Sequence, residues 1–526
     1  MRLSVLFFVL LFCYHVSSLK FLMYNPMFGR SHVTFLGKLA DALIDAGHEV
    51  TLISPIVEAK LGTVGTKRAR IIYIPQVAEC EQYENEIGPK VMGNVWKSTI
   101  GPVAFMSTLS KMTHGMKFQC NATLHHPDVL PVLRKEKFDV AMSEIVDFCG
   151  FGIFHMLGIE NVAITFSIAA FDGSFPITGA PGFPSYVPGN LAGYSDKMTF
   201  LERVSNTLPT LFARYIYGIF VNPSNELFQE LYGPTFPTMD DLMDKISLVF
   251  LNAEPLVAFP RVTTHKIIEV GGISISTGHK ALNETWSAIF DLRPQTVLLS
   301  FGSVAKSYLM PDEYKSSILE AFRKFPDITF IWKYERPEDR ISEGLPNVIE
   351  STFVPQNDVL YDPRLSLFIT HCGQGSTTEA TTAGVPLIVI PVLGDQLANA
   401  QTIKRIGTGI ILEKETLSTS ATLEAAIKEV LDNPEYAEKA KKVGQMLRDT
   451  PFSPREKLVR NMEFLAKYGP LRQLDHYGTQ LNFFQYYLID VFAFLTAIAL
   501  TLILVVFYVL RAVFRRVARV VKVKKY

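Results

Sequence analysis

The chain has 526 residues, room for several domains of roughly 100–200 residues each. Its 51 Lys and Arg balance 51 Asp and Glu, but Arg2 and seven cations beyond residue 510 lie at the two ends, which leaves the body about eight negative charges in excess. A body of that sign argues against nucleic acid as a partner, and no low-complexity tract or repeat interrupts it.

The chain opens on Arg2, an apolar run from Leu3 to Cys13, and small residues at Val16 to Ser18. That order marks residues 1–18 as a signal peptide rather than a buried first strand. Lys20 to Asn25 predicts a strand, Ser31 to Ala46 an amphipathic helix stopped by Gly47, and His48 to Ser54 a second strand. This βαβ start predicts a doubly wound amino-terminal domain over 19–285. His32, in the loop Asn25–His32 after the first strand, is placed at the carboxyl edge of the sheet. An imidazole there can act as a base, or it is an ordinary first-turn histidine. Phe138 to Ser143 and Val162 to Phe166 predict further strands, and residues 167 to 235 are aromatic and show no clean period. Phe105, Phe118, Phe151, Phe154, Phe171 and Phe175 suit flat lipophilic molecules, or are simply core.

The chain turns polar at 283–294, and Gln295 to Phe301 starts a second series of strands near 328–334, 347–353, 365–370 and 386–392. Helices are expected at 421–432, 434–448 and 454–467, so a second domain is placed at 286–470. A juxtamembrane segment at 471–490 leads to Val491–Leu510, 20 residues without a charge. At about 1.5 Å per residue that run crosses one bilayer core of roughly 30 Å. The tail 511–526 is basic throughout, which places it in the cytosol and the body on the other side. Lys522 and Lys524 are similar to a dilysine retrieval signal of the endoplasmic reticulum, or are plain stop-transfer charges.

Asn121-Ala-Thr and Asn283-Glu-Thr are glycosylation sequons. Cys80, Cys120 and Cys149 allow one disulfide in an oxidising compartment, and spacing does not choose the pair. Cys372 reads as a packing residue. No cysteine pair has zinc-ligand spacing, and no metal site is expected.

The densest chemistry lies in Phe353–Asn399. There, His371, Gly373 and Gly375 fall between the end of an apolar strand and a helix opened by Ser376, where open α/β sheets bind ligands. Glycines admit a phosphate to the backbone, and the helix start offers free N–H groups. His371 can add a ring N–H to a phosphate oxygen. Glu379, one turn into the helix, can take a ribose diol, while Asp395 and Gln396 after the next strand suit sugar hydroxyls. Phe353 offers a flat face for a base. Together these groups describe a site for a nucleotide joined to a sugar.

This frame, aromatic-x-Pro-Gln, Thr-His-x-Gly, Ser-x-x-Glu, Gly-Val-Pro and Pro-x-x-Gly-Asp-Gln, resembles the UDP-glycosyltransferases of family 1, the animal UDP-glucuronosyltransferases in particular. The resemblance implies a GT-B type α/β fold: two facing Rossmann-like, doubly wound domains plus a C-terminal transmembrane helix. It implies that Phe353 and Gln356 hold uridine, His371, Ser376 and Ser303 the pyrophosphate, Glu379 the ribose, and Asp395 and Gln396 the sugar. Phe353 stands where Trp is common, and Gly375 where many members carry Asn. His32 becomes the general base, oriented by Glu144 where the family has Asp, with Asp147 as the rival. Arg261 resembles the arginine set against a donor carboxylate, or is a surface arginine.

The activity so implied is inverting transfer of glucuronic acid from UDP-glucuronate to a hydroxyl of a small lipophilic acceptor. The UDP-sugar is co-substrate, and neither cofactor nor metal is expected. A UDP-glucosyltransferase of the same fold is the alternative, and a non-catalytic lumenal nucleotide-binding or partner protein the alternative of another class. The expected address is the endoplasmic reticulum membrane, single-pass type I with the body lumenal, and the family implies homo-oligomers.

Overall fold

Each strand expected from an apolar run forms within three residues of its expected bounds in the computed structural model, which describes residues 18–97, 102–169, 174–190, 192–275, 280–303 and 305–523. The expected signal peptide lies outside these residues except for Ser18, as do Phe171, the side chain of Phe105, and Lys524.

The first sheet contains β1 (Lys20–Tyr24), β2 (Glu49–Pro55), β3 (Arg70–Ile74), β4 (Val140–Glu144), β5 (Val162–Phe166), β6 (Leu248–Leu251) and β7 (Ile267–Glu269). Its order is β3-β2-β1-β4-β5-β6-β7, all parallel. The second contains β8 (Gln295–Ser300), β9 (Ile328–Lys333), β10 (Val348–Ser351), β11 (Leu365–Thr370), β12 (Leu387–Val389) and β13 (Gly409–Ile411). Its order is β10-β9-β8-β11-β12-β13, again parallel. Strands such as Leu367-Phe-Ile-Thr370 are buried on both faces, which is why they read as unbroken apolar runs.

Each sheet reverses direction once, between β1 and β4 and between β8 and β11. Chains leaving the carboxyl ends of such a strand pair diverge and open a crevice. Helix α1 (Arg30–Asp45) follows β1, and helix α6, below, follows β11. The functional side chains therefore gather at two switch points within one body, which takes in the described residues through Leu474.

Residues 167–235, aperiodic in sequence, hold α4 (Phe200–Leu211) and α5 (Ala213–Tyr232). Pro209 and Pro223 sit inside these helices, and the residue that α4 buries is polar Asn206, which bonds Gly189, Pro184 and Val187. The apolar residues Phe200, Leu201, Val204 and Leu208 of α4 keep helical spacing but are exposed, so no buried apolar stripe marks that helix as part of the core. Earlier, α2 (Pro102–His125) and α3 (Cys149–Met156) are joined by the disulfide Cys120–Cys149. That leaves Cys80 buried and reduced, its thiol pushed up to about 12 chiefly by burial.

In the second half, α6 (Gln374–Ala383) follows β11 and α7 (Gln396–Ile406) follows β12. Helices at Ser420–Asp432 and Pro434–Arg448 follow. Chain order places the next helix, α8 (Pro454–Tyr468), with the second domain, but its contacts do not. Leu458, Met462 and Leu465 are fully buried in one cluster with Phe21 and Val140 of the first sheet and Leu36 and Leu39 of α1. Glu463 accepts from His48 Nε2 at 3.0 Å, and Leu471 N donates to Ser247 Oγ at 3.2 Å. The residues from 286 to about 450 are thus inserted into a first domain built from both sides of them. Asp475 onward forms a separate unit whose helix α9 (Ile489–Val523) contains a stretch, Ile489–Val520, long and apolar enough to cross a membrane.

Candidate active site

At the first switch point, Gly29 ends the loop after β1 at φ 59°, and a Cβ there would lie 3.1 Å from the His32 ring. Glycine thus satisfies both the left-handed backbone and the close approach of the imidazole. His32, on the first turn of α1, sets Nδ1 2.7 Å from Oε1 of Glu144, the last residue of β4. The same oxygen accepts the backbone N–H of Ser167 at 3.1 Å, and Ser167 Oγ lies 2.5 Å from His32 Nδ1. With Nδ1 so engaged, the network assigns the lone pair to Nε2.

Burial pulls His32 down. The carboxylate of Glu144, its hydrogen bond, and the charges of Asp395 and Glu58 outweigh burial and raise the ring above the ordinary imidazole value. Asp147 makes no part of this pair: it accepts from Tyr24 Oη at 3.0 Å and Cys149 N at 3.0 Å. Burial lifts its carboxyl to about 6. Ser167 and Glu58 were not singled out from the sequence. Ser167 directly follows β5, the strand beside β4, so the edge rule that located His32 also points to it.

At the second switch point, α6 starts at Gly373 with no side-chain cap, so its first N–H groups remain open to an anion. His371 is 8 % exposed and caged by glycines: a Cβ at Gly302 would lie 2.6 Å from its Cε1, and one at Gly373 2.6 Å from its Nε2. Burial, with the nearby charge of Lys333, lowers the ring to about 4 against a bond to the Ser300 backbone. His371 is therefore neutral near pH 7, with one ring N–H. Nδ1 also lies 3.3 Å from Thr370 Oγ1, so the tautomer decides whether the neutral ring turns an N–H toward a phosphate.

Cys372 takes φ 64°, a left-handed conformation unusual for a side chain bearing a Cβ. Its carbonyl accepts from Asn399 at 3.1 Å, and Asn399 also bonds Asp395 at 3.0 Å. Asn399 thereby ties the turn after β11 to the Asp395 carboxylate. The Cys372 thiol is buried and pushed up to about 12, in keeping with a packing role.

Gln356 Nε2 donates to Glu379 Oε2 at 2.6 Å and lies 3.2 Å from Ser376 Oγ. Burial raises Glu379 to about 7, with the Gln356 bond opposing it. Phe353 is 70 % exposed, its ring open to a ligand, and nothing lies within 4 Å of a Cβ built on Gly375. Ser303 is exposed at the turn after β8.

Asp395, at the start of α7, interacts electrostatically with His32, so the two switch points face one another. Gln396 is placed differently from the sequence reading: its Oε1 accepts from Val392 N at 2.8 Å and Leu393 N at 3.1 Å. That oxygen shapes the turn, and only the amide N–H groups remain to serve a sugar. Arg261 is half-buried in the first domain, where its charge acts on Glu269 of β7. Of the aromatics considered for an acceptor, Phe151 and Phe154 are core, Phe175 is half-buried and Phe118 exposed. Among the described residues no cluster of His, Cys, Asp and Glu is arranged to hold a metal ion.

The Caenorhabditis elegans protein ugt-48, named for UDP-glucuronosyltransferase activity, is 30% identical over 91% of this chain and 92% of its own. UDP-glucuronosyltransferase 1A8 of Rattus norvegicus is 28% identical over 92% and 89%. The solved structure of a forosaminyltransferase, SpnP, is similar in fold, with a TM-score of 0.57 at 17% identity over 86% of this chain and 100% of that one. The two parallel Rossmann-type sheets are those of a GT-B glycosyltransferase. Since the model of the UDP-glucoronosyl and UDP-glucosyl transferase family matches residues 22–525, the chain belongs to that family and is a UDP-glycosyltransferase.

Proposed function

We propose that this enzyme transfers glucuronic acid from UDP-glucuronate to a hydroxyl of a small lipophilic acceptor, with inversion at the anomeric carbon. The observation that carries the reading is the His32–Glu144 pair facing Asp395 across the crevice. His32 Nε2 takes the acceptor proton while the acceptor oxygen forms its bond to the anomeric carbon. The bond from that carbon to the phosphate oxygen breaks, and UDP leaves. The open N–H groups of α6, Ser376 and Ser303 receive the departing charge, a preorganised arrangement that needs no metal in this reading. Glu144 stabilises the imidazolium. Phe353 stacks on the uracil, and Glu379, held by Gln356, takes the ribose diol.

A UDP-glucose donor is the second reading, favoured by one observation. The charge of Arg261 acts on Glu269 of β7, opposing the burial that raises that carboxyl, so the arginine expected to recognise a donor carboxylate already lies in the field of a first-domain carboxyl. Purified protein offered both donors with a panel of phenols, the products weighed by mass spectrometry, decides between them. Preference for UDP-glucose sinks the glucuronosyl assignment. His32→Ala with UDP binding retained and turnover unchanged would sink the base, whereas a wild-type chain that binds UDP and turns over neither donor would be a non-catalytic nucleotide-binding protein.

The same reading sets the body in the lumen of the endoplasmic reticulum, anchored by α9 with a cytosolic tail. Asn283, exposed at a helix start, is the better glycan acceptor, because Asn121 is half-buried within α2 beside the disulfide. Self-association follows the family resemblance.

A further inference from the structure

The segment Val95–Trp96 belongs by chain order to the first domain, since it lies between β3 and α2. Its side chains do not pack there. Val95 and Trp96 are 1 % and 0 % exposed within the core of the second domain, among Leu299, Phe301, Ala305, Trp332 and Leu417. The indole meets Phe301 edge-on with centroids 4.9 Å apart, and its Nε1 donates to the carbonyl of Lys306 at 3.1 Å. Lys414, itself 6 % exposed, donates to the carbonyl of Val95. A buried ammonium spent on a backbone carbonyl of another domain indicates a fixed seat, not a passing contact.

Phe301 and Lys306 bracket the loop after β8 that carries Gly302 and Ser303. Lys333 holds the Gly302 carbonyl from within the second domain, and Ser307 is held by Glu335 at 2.9 Å and by the Lys333 carbonyl at 3.1 Å. Trp96 supplies the hold at Lys306 from the first domain. The opposing wall reaches the same place, because the charge of Lys306 acts on Glu58, and Glu58 acts on His32.

We infer that Trp96 is a positioning residue for the donor. Carried by the acceptor-side domain, it fixes the loop that receives the pyrophosphate, so that donor affinity depends on a seat the first domain provides. The inference rests on the proposed pyrophosphate role of Ser303 and its loop. A hydrogen-bonded, fully buried indole constrains a short loop at both ends, and a loop free at one end would lose order before it could bind an anion.

The test uses the full chain in detergent and two variants: Trp96→Phe, which keeps a ring against Phe301 and removes the N–H donor, and Trp96→Leu, which removes both. UDP affinity is measured by calorimetry, with steady-state KM for donor and acceptor taken separately. The expected result for Trp96→Phe is UDP binding weakened about five- to tenfold. Donor KM rises in step, while acceptor KM and kcat at saturating donor stay within about twofold. Amide exchange at Phe301 to Lys306 accelerates in both variants. Unchanged UDP affinity in both variants overturns the inference, and so does an equal rise of donor and acceptor KM, which a general loss of packing would cause. Failure of the wild-type chain to bind UDP would instead remove the donor-site reading beneath it.

Discussion

Replacing Glu144 by Gln isolates a single charge. Oε1 already serves two partners, the Ser167 N–H at 3.1 Å and His32 Nδ1 at 2.7 Å, and an amide oxygen in the same place can accept from both. The substitution therefore keeps the geometry and removes the negative charge that faces the imidazolium as it forms. Unit charges about 4 Å apart interact by about 4 kcal/mol at an effective dielectric of about 20. The His32 side chain is 21 % exposed, and solvent there screens part of that energy. An expected loss of about 2 kcal/mol in the transition state corresponds to roughly thirtyfold in kcat/KM. The assay is kcat/KM against pH with one phenolic acceptor, with UDP affinity as the control. Because Glu144 raises His32, losing its charge also moves the acidic limb of the profile to lower pH, since the base then stays unprotonated further into acid. Asp147→Asn leaves the limb in place, because Asp147 contacts Tyr24 and Cys149, not His32. A Glu144→Gln enzyme with wild-type turnover, or with its limb unmoved, would refute the pairing as a catalytic device.

Donor binding has its own pH dependence. Glu379, lifted to about 7, is half protonated at neutral pH, and ribose hydroxyls donate best to its ionised form, so affinity for an intact UDP-sugar rises from pH 6 to 8 and is lost as pH falls. Calorimetry in buffers of different ionisation enthalpy should show release of about half a proton at pH 7; flat affinity between pH 6 and 8 contradicts the role, and Glu379→Gln should abolish the release. Phe353→Ala removes a ring that the free protein leaves 70 % exposed, so the melting temperature should hold while donor KM rises by the equivalent of about 1–3 kcal/mol of stacking, roughly five- to 150-fold; a large fall in melting temperature would mark the ring as structural. Gly375→Asn enters open space at the start of α6, and one added bond to a phosphate should lower donor KM several-fold, whereas a raised KM would show that the phosphate passes closer than the backbone suggests.

Much of the site was legible because its chemistry is carried by residue types at strand ends. A His after β1, a Glu closing β4 and a His after β11 fall at switch points that follow from the parallel order alone. What stayed hidden depends on contacts between distant segments. Nothing local distinguishes the Gln396 oxygen spent on its own turn from one offered to a sugar. Three cysteines permit three pairings, and only the packing of α2 on α3 selects Cys120 with Cys149. Nothing in the sequence signals that Trp96, which precedes α2 in the chain, packs in the core of the second domain. Helix α4 exposes its apolar residues Phe200, Leu201, Val204 and Leu208 and is held instead through Asn206, a placement that no local pattern announces.

The return of α8 to the first sheet sets an order of completion for the nascent chain. Roughly 190 residues separate Val270, at the end of that sheet, from Leu458, which covers its face. At roughly 5–20 residues per second, synthesis leaves the face uncovered for about ten to forty seconds while the whole donor domain is made. The first domain to emerge is thus the last to be finished. A chain cut before residue 454 would carry that bare face permanently, so a soluble form must extend at least through Leu471, whose backbone N–H closes the layer on Ser247.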